Sequence, residues 1–135
     1  MFVRNGTTWT QQAYVKASNT GSTDAFGVSV ALTADSLAVC APAEDGGTSG
    51  INGTPNEGAR DSGALYVFTR SGTIWTQLLY VKASNNLSDG GFAARVVASG
   101  DTIAVGAFGE DSATTGINNP PVGNANASRA TYVIR

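Results

Sequence analysis

Side-by-side carboxylates occur twice in this chain, as Glu44-Asp45 and Glu110-Asp111. Each pair is followed by Gly-Ile-Asn, at 50–52 and 116–118. Carboxylates and amide oxygens converging from one loop can hold a hard cation or a hydroxyl-rich ligand. Glu44, Asp45, Asn52, Glu110, Asp111 and Asn118 are therefore the candidate ligand-binding residues. The competing reading is that they solvate a loop and cap its turns. They do not suit glycoside hydrolysis, which needs two carboxyls on opposite sides of the scissile bond. The chain has no His, which removes the commonest general base and a favoured transition-metal ligand. The single Cys40 has no His to activate it. No catalytic residue and no metal ligand is assigned, and the chain is expected not to be an enzyme.

The two acidic pairs belong to a longer repetition. Trp9-Thr-Gln-Gln-Ala-Tyr-Val-Lys-Ala-Ser-Asn19 returns as Trp75-Thr-Gln-Leu-Leu-Tyr-Val-Lys-Ala-Ser-Asn85, an offset of 66 residues that holds to the end of the chain. Phe26 falls on Phe92, Asp35 on Asp101, and Tyr66-Val67 on Tyr132-Val133. About half of the aligned positions are identical. The copies run from about 2 to 67 and from about 68 to 135, and the whole is read as one two-unit domain, since each copy alone is too small for a good core.

Period-two alternation makes Trp9–Ala17 a strand. Phe26–Leu32, Leu37–Ala41 and Gly63–Arg70 follow as strands, and Asn5-Gly6-Thr7 has the composition of a tight hairpin turn. Residues 43–62 form a long Gly- and Asn-rich loop, of the kind that is often functional or disordered. The second copy repeats the order with strands at Phe92–Ser99, Thr102–Ala107 and Ala130–Arg135 and a loop at Phe108–Ser128. No stretch has the spacing and caps of a helix. The fold expected is all-β, with one four-stranded antiparallel sheet per copy. Lys16 and Lys82, on the Trp-containing strand, are expected to protect a sheet edge.

Phe26-Gly27, then Cys40-Ala41-Pro42, then Gly63-Ala64-Leu65-Tyr66-Val67-Phe68, resemble the FG-GAP repeat. In the second copy the two short motifs read Phe92-Ala93 and Gly106-Ala107-Phe108. The resemblance covers nearly the whole chain. It implies β-propeller blades like those at the head of integrin α subunits and in many secreted bacterial proteins, and hence an extracellular or cell-surface location. It implies calcium in many members, held between the FG and GAP strands by several acidic residues. Here that hairpin is Thr33–Ser36, or Ser99–Thr102, with one carboxylate each. No cofactor is expected, although Ca²⁺ remains the family's usual ion. Asp35 and Asp101 read as turn residues bonding their own backbone.

The formal charge of −2 is carried by eight basic and ten acidic residues scattered along the chain, which does not make a nucleic-acid surface. No apolar run reaches the roughly 20 residues of a membrane helix. Met1-Phe2-Val3-Arg4 lacks the pattern of a signal peptide and aligns with Val67–Arg70, so the chain is expected to begin inside a unit.

Two blades are fewer than the four to eight that close a propeller. The expected partner is the chain itself, in three or four copies joined head to tail as a ring of six or eight blades. Strand exchange between Trp9, Gln11, Tyr14 and Val15 of one copy and Ala130, Tyr132, Val133 and Ile134 of the next would seal it. The stub Met1–Arg4 would be displaced. The ring would serve as a structural or protein-interaction module. The alternative is a carbohydrate-binding propeller with sites at the loops or between blades. Trp9, Tyr14, Trp75 and Tyr80 could then stack on sugars, although packing between blades is the favoured reading.

Overall fold

The computed structural model describes residues 1–135. All of its regular structure is β. The strands are β1 (Phe2–Asn5), β2 (Thr8–Gln11), β3 (Val30–Leu32), β4 (Ser36–Ala41), β5 (Gly50–Ile51), β6 (Ala64–Ser71), β7 (Ile74–Lys82), β8 (Phe92–Ser99), β9 (Thr102–Ala107) and β10 (Ala130–Ile134). They form three antiparallel sheets, ordered β1-β2, β3-β4-β6-β7-β5 and β10-β9-β8.

The middle sheet is a full four-stranded blade with β5 added at its outer edge. Its strands come from both copies, because β7 is the Trp strand of copy two. The expected four strands per blade are therefore present once. The second blade has three strands, and its outer edge, β10, is open.

The Trp strand shows how much a strand depends on its neighbours. In copy two it is paired along its length, to β6 on one side and β5 on the other. In copy one it was expected over Trp9–Ala17 but stops at Gln11. The two hairpins share one register: β1 pairs Phe2 with Gln11 and Arg4 with Trp9, as β6 pairs Phe68 with Gln77 and Arg70 with Trp75. Past Gln11 the amides of Gln12 and Ala13 both reach the Met1 carbonyl. No strand lies beside residues 14–17.

Two other expectations change. Phe26–Leu32 is extended only from Val30, because Ala25 and Gly27 have φ of 58° and 94°, outside the β region. Ser29 and Gly27 still bond across to Cys40 at 2.9 Å. The loop 43–62 is not wholly irregular, since it contributes β5.

The apolar residues sit on the two faces of the first blade. One cluster holds Ala38, Cys40, Leu65, Val67 and Val81 against Phe92, Val96, Ile103 and Val105, and is the joint between the blades. The Phe92 ring lies edge-on to Tyr132, 5.2 Å between centroids. The other cluster, with Leu37, Val39, Tyr66, Phe68 and Tyr80, covers the opposite face and is roofed by Val15, Ala17 and Phe26. Burial in the joint pushes the Cys40 thiol up to about 11, against a hydrogen bond with Ser29 and the charge of Arg95. That thiol is a packing residue.

Because one joint carries both blades, Phe92→Ala is expected to lower the unfolding free energy by about 3–5 kcal/mol and to leave a single cooperative transition. Denaturant unfolding followed by fluorescence and by circular dichroism checks this. A loss below about 1 kcal/mol, or two separated transitions, would contradict a shared core.

Candidate functional site

The conspicuous chemistry lies under the loop of copy one. Glu44 and Lys82 form an ion pair whose side chains are 2% and 1% exposed. Lys82 was expected at a protected sheet edge; it is instead at the inner end of β7, covered by the loop. Its ammonium also donates to Ser62 Oγ at 2.8 Å. Glu44 accepts from Tyr80 Oη at 2.8 Å, Asn19 Nδ2 at 2.8 Å and the Gly46 amide at 2.9 Å. Asn19 Oδ1 accepts from Tyr66 Oη at 2.8 Å.

β7 aligns this set. Tyr80 and Lys82 stand two residues apart and share one side of the strand. The loop holds β7 from outside: the Asn52 amide donates to the Tyr80 carbonyl at 2.7 Å, and the Tyr80 amide to Asn52 Oδ1 at 2.8 Å. Burial pushes the Lys82 ammonium below the ordinary lysine range, against the pull of Glu44, Asp45 and Asp24. Burial, with the Glu44 carboxylate beside it, raises the Tyr80 phenol well above its ordinary value. The Tyr66 phenol rises for the same reasons.

Copy two repeats the Asn, Ser and loop-amide part of this network, without the tyrosine and the lysine, and adds a bond from Ser128 Oγ to the Glu110 carboxylate at 3.1 Å. Glu110 accepts from Asn85 Nδ2 at 2.6 Å and from the Ser112 amide at 3.1 Å. Asn85 Oδ1 accepts from Tyr132 Oη at 2.7 Å. Ser128 takes the place of Ser62, donating to the Glu110 carbonyl at 3.1 Å and the Ser112 carbonyl at 2.8 Å. Burial raises the Glu110 pKa, but the bonds from Ser112, Ser128 and Asn85 outweigh it and hold the carboxyl below the usual range. No tyrosine or lysine reaches Glu110, and it has no salt bridge.

The six candidate ligand-binding residues therefore divide. Asp45 and Asp111 staple their loops: Asp45 Oδ1 accepts from the Asp61 amide at 2.7 Å and Asp111 Oδ1 from the Ala127 amide at 2.6 Å. Glu44 and Asn52 are taken up by β7. Glu110 and Asn118 line one cavity of ≈ 740 Å³ beside β10. Of the strand-exchange residues, Ala130–Ile134 form β10, whose outer edge carries no strand, while Tyr14 and Trp9 are exposed. Trp75 is packed, with its indole donating to Gln12 Oε1 at 3.1 Å and Arg70 over its ring at 5.8 Å.

Asp35 does not bond its own backbone as expected. It accepts from Arg70 at 3.0 Å, and Thr33 Oγ1 ties the turn by accepting from the Ser36 amide at 3.2 Å. Asp101 likewise accepts from the Thr102 hydroxyl at 3.3 Å. One carboxylate engaged by a guanidinium cannot supply the six to eight oxygens of a calcium cage, so the hairpin donors do not fit that ion.

Sequence reasoning passed over the Lys82–Glu44 pair. The available signal was that Tyr-x-Lys and Glu-Asp both survive unchanged in the two copies while the loops around them drift.

A family model described as the FG-GAP repeat matches residues 9–68, so this stretch is an FG-GAP repeat. That span holds the Trp segment, β3, β4 and most of β6, with the Glu44 loop between them. No curated protein and no solved structure matches the chain. The all-β architecture agrees with propeller blades of this family.

Breaking a buried pair leaves one charge alone in the interior. Lys82→Met is expected to lower the unfolding free energy by about 3–5 kcal/mol. Adding Glu44→Gln should restore part of the loss, because no lone charge then remains. Urea titrations of the single and double variants check this; losses that simply add would contradict the coupling.

Proposed function

We propose that this chain is a non-enzymatic structural and protein-interaction module whose copies join head to tail into a closed ring of propeller blades, at the cell surface or outside the cell. The FG-GAP repeat suggests a propeller interaction module, and no helix here is long and apolar enough to cross a membrane. A contrast between equivalent residues supports the assembly. Val67, in the joint, is 4% exposed, and its counterpart Val133 is 68% exposed. Val96, on the other side of the joint, is 6% exposed, and its counterpart Val30 is 57% exposed.

At one end the chain presents Val133 where the internal joint has Val67, with Thr131 and Gly106 in place of Leu65 and Cys40. At the other end Val28, Val30 and Leu32 are exposed, while Leu37 and Val39, the counterparts of Ile103 and Val105, are covered by Val15, Ala17 and Phe26. These surfaces are complementary in kind, and a contact between unlike patches closes a ring when the rotation permits. One position must adjust. Gly63 in the internal joint has Arg129 as its counterpart, and a β-carbon at Gly63 would stand 2.0 Å from the Phe92 carbonyl oxygen. The joint between copies opens locally there.

Light scattering after size exclusion tests the proposal. The expected mass is three or four times 13.7 kDa, with Arg129→Gly holding the assembly to lower concentration. A mass of 13.7 kDa at every concentration for both proteins would overturn the ring.

A further inference from the structure

The cavity beside β10 has the shape of a missing strand. In the first blade, β7 lies between β6 and β5, pairing Tyr80 with Tyr66 and Val81 with both Leu65 and Ile51. In the second blade β10 is the counterpart of β6, and Gly116-Ile117-Asn118 is the counterpart of Gly50-Ile51-Asn52. β10 is in place, and residues 116–118, which form no strand here, lie across the slot from it. Gly116 and Asn118 have φ of 95° and 56°, close to the 80° and 54° of Gly50 and Asn52. The slot between them is lined by Asn85, Glu110, Ser112, Asn118 and Tyr132. Beside it the Glu110 carboxylate holds an amide and an Asn partner as Glu44 does, accepts in addition from Ser128 Oγ at 3.1 Å, and lacks both the lysine and the tyrosine hydroxyl that Glu44 has.

The chain also holds the piece that fits. Tyr14-Val15-Lys16 repeats Tyr80-Val81-Lys82, and Tyr14 and Lys16 are exposed. In its own chain this segment lies over the far face of the first blade, with Val15 and Ala17 against that face. The whole blade therefore stands between Lys16 and Glu110.

We propose that the slot between β10 and residues 116–118 binds residues 9–16 of a second copy as an added strand, with Lys16 of that copy forming a buried ion pair with Glu110. This rests on the head-to-tail reading above and names its recognition site. The register follows from the internal example: Tyr14 lies opposite Tyr132, Val15 opposite Thr131, and Asn118 clasps the Tyr14 backbone. Overlap with β1 is confined to the ends, since Met1–Val3 and Val133–Arg135 are counterparts of the same stretch, 67–69. Only that much of the stub has to move.

Lys16 carries the recognition more than Tyr14 does. Gly46, against the Tyr80 hydroxyl, has Ser112 as its counterpart, and a β-carbon at Gly46 would lie 2.3 Å from that hydroxyl. The Tyr14 hydroxyl cannot take the same position unless Ser112 shifts. The Lys16 ammonium would meet Glu110 Oε2, which already accepts from Ser128 Oγ at 3.1 Å, and would share that oxygen with the hydroxyl. A lysine buried against Glu110 also fixes register, because a slip of one residue would turn it to the other side of the strand.

The test is sedimentation equilibrium of the full chain and of two single variants, Lys16→Met and Glu110→Gln. Each variant is expected to raise the dissociation constant about a hundredfold, as loss of one partner from a buried pair does. Lys16 is exposed in the single chain, so the melting temperature of dilute Lys16→Met should match that of the parent. Parent and variants associating equally would overturn the Lys16–Glu110 anchor and leave head-to-tail assembly standing. A parent that stays monomeric throughout would overturn the assembly, and the anchor with it.

Discussion

A blade of four strands has two apolar faces, and only other layers can cover them. In this chain one face of each blade is covered by the other blade. Ala38, Cys40, Leu65 and Val67 meet Phe92, Val96, Ile103 and Val105 in the single joint. The remaining faces fare differently. The outer face of the first blade is half roofed by residues 15–26, which leaves Val28, Val30 and Leu32 exposed. The outer face of the second blade leaves Val97 and Val133 exposed. The proposed ring follows from that imbalance. Its joint would follow the internal one except where the counterparts differ, as at Arg129 for Gly63 and Thr131 for Leu65.

Strand edges obey the same logic. A strand persists where partners hold its backbone, and the Trp segment is an internal control for this. Two nearly identical eleven-residue segments differ in outcome: one lies mostly in the paired strand Ile74–Lys82, the other gives only the short hairpin arm Thr8–Gln11. The Glu44–Lys82 pair adds direction to the pairing. Burying two charges is costly and adds little net stability, but a lone buried charge is costlier still. The pair therefore penalises wrong registers more than it strengthens the right one. Glu110 keeps the corresponding Asn and loop amide but has neither tyrosine nor lysine, and in the proposed assembly it would present that penalty to a strand added without its lysine.

Much of the architecture was legible in the sequence. Strong alternation and small apolar runs located β4, β6, β8, β9 and β10 within a residue or two. The 66-residue offset located the two units, but the four strands expected per copy are present only in the first blade. What could not be read was set by tertiary neighbours. Positive φ at Ala25 and Gly27 shortened β3, and missing partners shortened β2. Lys82 looked like an edge lysine because its polarity matches a solvent-facing position, and only the fold shows the loop closing over it. Asp45 looked like a ligand because it follows Glu44; in space it turns away to hold the Asp61 amide.

The most direct measure of the central claim, that the open edges of one chain close on another, is backbone amide exchange at Tyr14, Val15 and Lys16. In the single chain these amides have no backbone partner. Rapid exchange is expected in dilute solution, with protection rising at least about tenfold at concentrations where the chain associates, approaching that of Tyr80–Lys82. Equally fast exchange at every concentration would contradict the claim.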